Sequence, residues 1–99
     1  MRNNLITFIT GMLKSYGYYS IDDEYIGFTS YSTKIDITLN NKEYNEIILV
    51  NDQIINDEYI YLYYKTGNNE RDITDINKFS DKELSKIYDN LNANITEKQ

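Results

Sequence analysis

The segment 58–65 constrains the fold of this chain more than any other feature. Between two charged residues, tyrosines alternate with aliphatic residues in the run Tyr-Ile-Tyr-Leu-Tyr-Tyr. Successive side chains of a β-strand point to opposite faces of the sheet. One predicted face therefore carries Tyr59, Tyr61 and Tyr63, and the other carries Ile60, Leu62 and Tyr64. A strand that is apolar on both faces either lies between two layers or presents an aromatic surface to a partner.

Three further strands are predicted upstream of this run. Segments 24–30, 33–39 and 43–50 are rich in β-branched and aromatic residues. Asn40-Asn41 is typical of a hairpin turn, because asparagine tolerates the positive φ that such turns require. Parallel pairing needs a crossover of about a dozen residues, so these short connections predict an antiparallel meander.

Alternation along the four strands assigns two faces to the predicted sheet. The predicted core face comprises Ile26, Phe28, Ile35, Ile37, Leu39, Ile47, Leu49, Ile60 and Leu62. The opposite face comprises Tyr25, Thr29, Lys34, Asp36, Thr38, Tyr44, Glu46, Ile48, Val50, Tyr59, Tyr61 and Tyr63. The residues predicted to bind a partner are Tyr44, Ile48, Tyr59, Tyr61 and Tyr63.

An amphipathic helix is predicted at the start of the chain. Apolar residues recur there with helical spacing at Leu5, Phe8, Ile9, Met12 and Leu13. Asn3 or Asn4 is predicted to cap the helix, and Gly17 to end it.

A second helix is predicted near the end of the chain. Ser80-Asp81-Lys82-Glu83 has the pattern of a capping box, in which serine and glutamate side chains bond each other's backbone N–H groups. Phe79 and Leu84 are spaced as a hydrophobic staple. An apolar stripe then continues to about Ala93, through Leu84, Ile87, Tyr88 and Leu91. Segment 71–77 is predicted to be a connecting loop or helical turn anchored by Ile73 and Ile76.

These elements predict one α+β domain at residues 1–93, followed by a polar tail at 94–99. Its element order is α-β-β-β-β-α, and a four-stranded antiparallel meander is packed against the N- and C-terminal helices in two layers. With no secretion signal and no apolar run long enough to span a membrane, the sequence favours a cytoplasmic protein without membrane contact.

Composition disfavours several functions. The formal net charge of −6 disfavours direct binding to nucleic acid, which needs clustered lysine and arginine. The chain has neither histidine nor cysteine, so the usual nucleophile–base pairs are missing. The candidates for acid–base chemistry are Asp22-Asp23-Glu24 and Asp57-Glu58, but both lie at predicted strand starts, where solvated charges are ordinary. The isolated glycines and the segment 52–58 match no phosphate-binding or calcium-binding pattern. We therefore expect neither enzymatic activity nor a cofactor or metal.

The function that these patterns favour is a small protein-interaction module, which uses its tyrosine-rich face as a homodimer or on another protein. Two structural alternatives remain open: a helix covers each face of the sheet, or the tyrosines stabilise cross-strand pairs while they stay wet. Low-GC codon usage also accounts for abundant tyrosine, although not for its spacing.

A second functional hypothesis rests on acidity. Residues 18–65 carry the carboxylates Asp22, Asp23, Glu24, Asp36, Glu43, Glu46, Asp52, Asp57 and Glu58. In the simplest interpretation they form a solvated surface that maintains solubility. In the alternative, the chain is an acidic inhibitor or decoy, of phage or mobile-element type, that occupies the basic cleft of a nucleic-acid-binding protein.

Overall fold

The computed structural model of this protein describes residues 1–22, 24, 27–67 and 70–97. The elements are α1 (Arg2–Tyr16), β1 (Tyr18–Ile21), β2 (Phe28–Leu39), β3 (Lys42–Asp52), β4 (Asp57–Lys65), β5 (Arg71–Asp75), a 3₁₀ turn (Ile76–Lys78) and α2 (Asp81–Glu97). The strands form one antiparallel sheet in the order β1-β2-β3-β4-β5. The predicted α+β class and the helix–meander–helix order are confirmed, with five strands instead of four.

The two edge strands account for the difference in strand number. Strand β1 was not predicted from the sequence; it is only four residues long, and all four of its residues are exposed. Segment 71–77 was predicted to be a loop or helical turn, and its first five residues form β5. Pairing with a neighbouring strand on one side supplies the backbone hydrogen bonds that hold both segments extended.

The strands predicted at 24–30 and 33–39 form a single strand from residue 28 onwards. Tyr31 and Ser32 were predicted to lie between two strands, but both residues pair with β1 on one side and with β3 on the other. Thr29 consequently shares its face with Tyr31 and Thr33 and is buried, whereas Phe28 lies on the opposite face. The predicted faces of Phe28 and Thr29 were therefore wrong. The predictions for Tyr25 and Ile26 fall outside the described residues.

A β-bulge overturns the predicted face of Tyr44. The pairing of β3 with β4 shifts between Tyr44 and Glu46, so that Asn45 is an extra residue in β3. One extra residue sends every side chain beyond it to the other face. Tyr44 is accordingly buried in the core, at 3% exposure, instead of lying beside Tyr61 and Tyr63.

A second bulge ties β2 to α2. The pairing of β2 with β3 shifts between Lys34 and Ile37, which interrupts the ladder there. Asn90 of α2 donates to the carbonyl of Asp36 at 2.9 Å, and Asn94 donates to the carbonyl of Lys34 at 3.4 Å. These bonds lie in the last turns of α2, which continues past the predicted end at Ala93 to Glu97. The predicted polar tail at 94–99 thus begins inside this helix.

The core lies between the helices and one face of the sheet, which we call the helix face. The fully buried side chains are Ile9, Leu13, Ile47, Leu49, Leu62, Leu84, Ile87 and Leu91. Ile35, Leu39 and Ile60 are also buried, and Ile37 packs against them, as the alternation predicted. Phe8 is an exception to the predicted stripe of α1: it is 55% exposed, and its ring lies 5.9 Å from that of Tyr88.

The helices lie side by side on this one face and run parallel. Arg2 at the start of α1 bonds the carbonyls of Phe79 and Asn77, at 2.7 and 2.9 Å, and the carboxylate of Asp81. Helix α1 begins at Arg2, and Met1 occupies the N-cap position. The predicted cap at Asn3 or Asn4 was therefore wrong. At their far ends, α1 and α2 flank a cavity of about 150 Å³ lined by residues that include Met12, Leu91 and Ile95.

The local signals at the start of α2 are confirmed. The backbone N–H of Ser80 donates to Glu83 Oε1 at 2.9 Å, and the N–H of Glu83 donates to Ser80 Oγ at 3.2 Å. Phe79 and Leu84 are both buried in the core, as a hydrophobic staple requires. At the other helix, α1 ends at Tyr16 with Gly17 as its C-cap.

Neither helix of the described residues is long and apolar enough to cross a membrane.

Candidate functional site

The second face of the sheet, which we call the outer face, has neither helix packed on it within the described residues. Directly opposed residues of antiparallel strands share a face, so the register identifies its members. The central residues of the outer face are Ser30, Ser32, Ile48, Val50, Tyr59, Tyr61, Tyr63 and Ile73. Four of the five predicted partner-binding residues, Ile48, Tyr59, Tyr61 and Tyr63, therefore lie together on it.

The tyrosines of β4 form a row along the middle of the outer face. Tyr59 and Tyr61 are stacked, with ring centroids 6.4 Å apart and an angle of 17° between the planes. All three tyrosines are half-buried, because neighbouring side chains cover part of each ring. Ordered rings with free surface contribute contact area at a low cost in side-chain entropy. The row is thus suited to contact a second molecule.

Aliphatic side chains flank the tyrosine row on both neighbouring strands. On β3, Val50 lies opposite Tyr59 and Ile48 lies opposite Tyr61. On β5, Ile73 lies opposite Tyr63 and is 46% exposed. Three strands spaced about 4.8 Å apart and five residues at a rise of about 3.3 Å each give the apolar part of β3–β5 a plan area of roughly 240 Å². This footprint approaches the size of the patches, about 300–600 Å², that are often functional on monomers.

One end of the outer face carries cations. Arg71 lies over the ring of Tyr63, with its Cζ 4.7 Å from the centroid, and its Nη2 is 2.8 Å from Glu46 Oε1. Lys34 lies opposite Glu46, and Lys65 lies opposite Arg71. The side chains of Lys34, Lys65 and Arg71 therefore share this end with the carboxylate of Glu46. The carboxylates of Asp36 and Glu43 lie farther along the β2–β3 hairpin.

Carboxylates occupy the other end of the outer face. Asp52 and Asp57 lie opposite each other at the ends of β3 and β4, and Asp75 lies opposite Tyr61. The hydroxyl of Tyr59 donates to Asp57 Oδ2 at 3.1 Å. This bond to a carboxylate stabilises the neutral phenol, and together with the nearby negative charges it raises the pKa of Tyr59. The apolar centre is thus bounded by opposite charges at its two ends.

Tyr44 does not belong to this surface. Its ring packs edge-on against Phe79 and Tyr64 in the core, with centroids 5.6 and 5.2 Å away. Its hydroxyl lies 3.1 Å from Thr74 Oγ1. A buried tyrosine needs such a polar partner, and Tyr44 finds it on β5. Its prediction as a partner-binding residue is corrected accordingly.

Most of the described acidic residues of the middle segment have structural partners. Asp22 accepts from the N–H of Glu24, and Asp52 accepts from the N–H groups of Ile54 and Ile55. Glu58 pairs with Lys14 and also accepts from Asn51. These carboxylates stabilise turns and join α1 to the sheet, which explains their positions without a partner. Asp23 lies outside the described residues.

Ile73 and Arg71 are the members of the surface that sequence reasoning missed. The signal for them was the alternation Arg-Asp-Ile-Thr-Asp at residues 71–75, which places positions 71, 73 and 75 on one face of a strand. The segment is short and has charged residues at both ends, so its alternation is a weak signal for a strand.

Within the described part of the chain, no group of three or more histidine, cysteine, aspartate or glutamate side chains is placed to hold a metal ion. Comparison with protein-family models, curated proteins and solved structures finds no match to this chain.

Proposed function

We propose that this protein is a small, non-catalytic interaction module that binds a partner protein through the outer face of its sheet. The observation that carries the proposal is the position of both helices on the same face, which leaves the tyrosine row without a layer of its own chain above it within the described residues. A sheet with one apolar face in the core usually has polar residues on the other. Here the second face carries Tyr59, Tyr61, Tyr63, Ile48, Val50 and Ile73.

The chemistry of the surface defines the partner that would fit it. Its centre is aromatic and aliphatic, which suits an apolar patch on a folded protein. Its two ends carry opposite charges, so the partner should place cations near Asp52 and Asp57 and a carboxylate near Lys34 and Lys65. Such charges determine orientation and rate of association more than affinity.

The acidic-decoy hypothesis has less structural support. A decoy needs an array of carboxylates that face outwards, whereas Asp22 and Glu58 bond the chain itself. The two hypotheses differ in salt dependence. Exposed charge attraction is screened over about 10 Å at 0.1 M salt, so decoy binding would weaken steeply as salt rises, whereas apolar contact would not.

Matched tyrosine variants test the proposal. Wild-type protein, Tyr61→Glu and Tyr16→Glu are used as baits in extract of the native host, and the bound protein is identified, purified and titrated by calorimetry. Tyr16 is the control because it is an exposed tyrosine, at 59%, on α1. A central aromatic contact is worth about 2 kcal/mol or more, so Tyr61→Glu should weaken binding by at least about 30-fold while Tyr16→Glu does not.

Light scattering on the same three proteins shows whether the partner is a second copy bound through this face. In that case, Tyr61→Glu dissociates a dimer that Tyr16→Glu retains. A partner that binds wild type and Tyr61→Glu with equal affinity would refute the proposed surface.

A further inference from the structure

The two edges of the sheet differ in how well they are protected from pairing with another strand. Edge strands of natural proteins usually carry charges, proline or bulges that prevent such pairing. At one edge, β5 carries Arg71, Asp72 and Asp75. At the other edge, β1 reads Tyr-Tyr-Ser-Ile, and all four side chains are exposed. Strand β1 therefore carries no charge, proline or bulge, and its short length of four residues is the protection that it has.

The backbone of β1 has a defined hydrogen-bonding phase. The N–H of Asp22 donates to the carbonyl of Phe28 at 3.4 Å, so residue 22 directs its backbone groups towards β2. This orientation alternates along an antiparallel strand. Ser20 and Tyr18 therefore bond towards β2, while the N–H and C=O groups of Tyr19 and Ile21 point away from the sheet. No strand of the described residues pairs with that side.

The side chains of the same two residues leave apolar surface uncovered. Tyr19 lies opposite Tyr31 and Ile21 lies opposite Thr29, which places both on the helix face. Helix α1 packs on β2 and β3, and Tyr19 and Ile21 remain 49% and 58% exposed. The ring of Tyr19 lies against that of Tyr31, with centroids 5.2 Å apart.

We propose that β1 pairs antiparallel with β1 of a second copy of this chain, about a two-fold axis at Ser20. The proposal goes beyond the proposed function, because it concerns the edge of the sheet instead of its outer face. The occupant follows from self-complementarity. A two-fold axis perpendicular to the sheet places the helices of both copies on the same side of the joined sheet. A residue on the helix face of one copy must therefore pair with a residue on the helix face of the other.

Only one register that satisfies the faces and the hydrogen-bonding phase pairs both outward-facing residues within β1. It places Tyr19 of each copy opposite Ile21 of the other, and these are the residues whose backbone groups point outwards. Each such pair exchanges both N–H···O bonds, so the two pairs supply about four hydrogen bonds. Placing Tyr19 opposite Tyr19 would instead bring Ile21 against Gly17, which is the C-cap of α1 and not part of a strand.

The side chains agree with this register. Tyr19 and Ile21 of each copy meet those of the other on the helix face, in the space between the helices of the two copies. On the outer face, Ser20 of one copy lies opposite Ser20 of the other at the axis. This pair is not hydrogen-bonded, so its Cα atoms approach to about 4.5 Å, and the small serine side chains fit there. The β1 strand brings no charged side chain, so like charges do not oppose the pairing.

The resulting dimer has a ten-stranded sheet with both outer faces on the same side. The contact is small, at the lower end of specific interfaces, below about 1,200 Å². The dimer should therefore dissociate on dilution and form as the concentration rises.

Matched isoleucine variants test the edge. Ile21 and Ile55 are 58% and 60% exposed, but Ile55 lies in the turn between β3 and β4. Lysine on an edge strand opposes pairing, and each dimer contains residue 21 twice. In sedimentation velocity from about 10 μM to 1 mM, Ile21→Lys should weaken dimerisation at least about tenfold, and Ile55→Lys should match wild type. A wild-type protein that stays monomeric throughout, or equal behaviour of the two variants, would overturn the proposal.

A single cysteine tests the register. The natural chain has no cysteine, so Ser20→Cys introduces one defined thiol. A Cα separation of about 4.5 Å lies within the range that a disulfide spans. Under mild oxidation, Ser20→Cys should form a disulfide-linked dimer faster than Asn92→Cys, which has its thiol on an exposed position of α2. Equal rates would contradict the register.

The two surfaces can be distinguished by these variants. A dimer that Tyr61→Glu dissociates and Ile21→Lys does not would overturn the edge proposal and support the outer face. A dimer with the opposite response supports the edge proposal, and the outer face is then judged by the partner titration alone.

Discussion

The two faces of the sheet are both rich in apolar residues along β4, but they are used differently. On the helix face, Ile60 and Leu62 are buried beneath two helices. On the outer face, Tyr59, Tyr61 and Tyr63 are half-buried among themselves and their strand neighbours. Aliphatic side chains such as these lose little by complete burial, whereas a phenol suits a partly exposed position where its hydroxyl can bond water. Along this part of β4, residue type thus distinguishes the buried face from the half-exposed face.

Replacing one tyrosine on each face gives the largest expected difference. Tyr44→Ala removes a ring that is 3% exposed and packed on Phe79, so it should lower the free energy of unfolding by about 3–5 kcal/mol. Tyr61→Ala removes a cross-strand contact on the wet face and should cost about 0.2–1 kcal/mol. Urea denaturation followed by circular dichroism measures both. Equal losses would show that the outer face belongs to the core as well.

The cap of α2 should have an intermediate effect, because this helix covers only one face. Ser80→Ala removes the hydroxyl that accepts from the Glu83 N–H and should cost about 0.5–2 kcal/mol. Ser15→Ala, at an exposed position of α1, is the control. Amide hydrogen exchange should become faster in α2 and in the residues that pack beneath it on the helix face. The fluorescence of the outer-face tyrosines should not change.

The same cap makes stability depend on pH. The backbone N–H of Ser80 bonds the Glu83 carboxylate and lowers the pKa of Glu83 in the folded protein. A lowered folded pKa contributes stability above the pKa of the unfolded state, and the contribution disappears as pH falls through the folded value. Glu83→Gln should therefore be less stable than wild type at neutral pH, and the difference should vanish in acid. A difference that is constant with pH would contradict this role.

The smallest expected effect concerns the acidic end of the outer face. Asp57 raises the pKa of Tyr59, chiefly because the hydrogen bond to its carboxylate stabilises the neutral phenol. Asp57→Asn should move that pKa back towards the ordinary tyrosine value, while Asp36→Asn, at the far end, should leave it unchanged. Titration of ¹³C-labelled tyrosine by NMR measures each ring. If the pKa of Tyr59 does not change in Asp57→Asn, then Asp57 does not act on the tyrosine row.

Sequence reasoning was accurate where neighbouring residues supplied the structural signal. The capping box at Ser80 and Glu83 depends on residues three apart, and the helix face of β4 depends on strict alternation. Alternation also placed Tyr59, Tyr61, Tyr63 and Ile48 on one face, where the structure has them. Their role as a binding surface stays a prediction.

Reasoning failed where pairing partners outweighed local preference. Asn45 looks like any other polar strand residue, yet as a bulge it turns Tyr44 into the core. Tyr31 and Ser32 were predicted to connect two strands, but strands on both sides keep them extended. The segments Tyr18–Ile21 and Arg71–Asp75 become strands only because a neighbour offers an edge to pair with.

Local sequence patterns specify the helices, three of the strands in outline and the alternation of β4, and the composition leaves the chain without thiol or imidazole side chains. Contacts between distant segments decide that both helices lie on one face, that Tyr44 is buried and that β1 presents an edge without charge, proline or bulge. The difference arises from the range of the interactions. Periodicity and caps act between residues a few positions apart, whereas bulges, edges and layer order depend on hydrogen bonds and burial between residues distant in the chain.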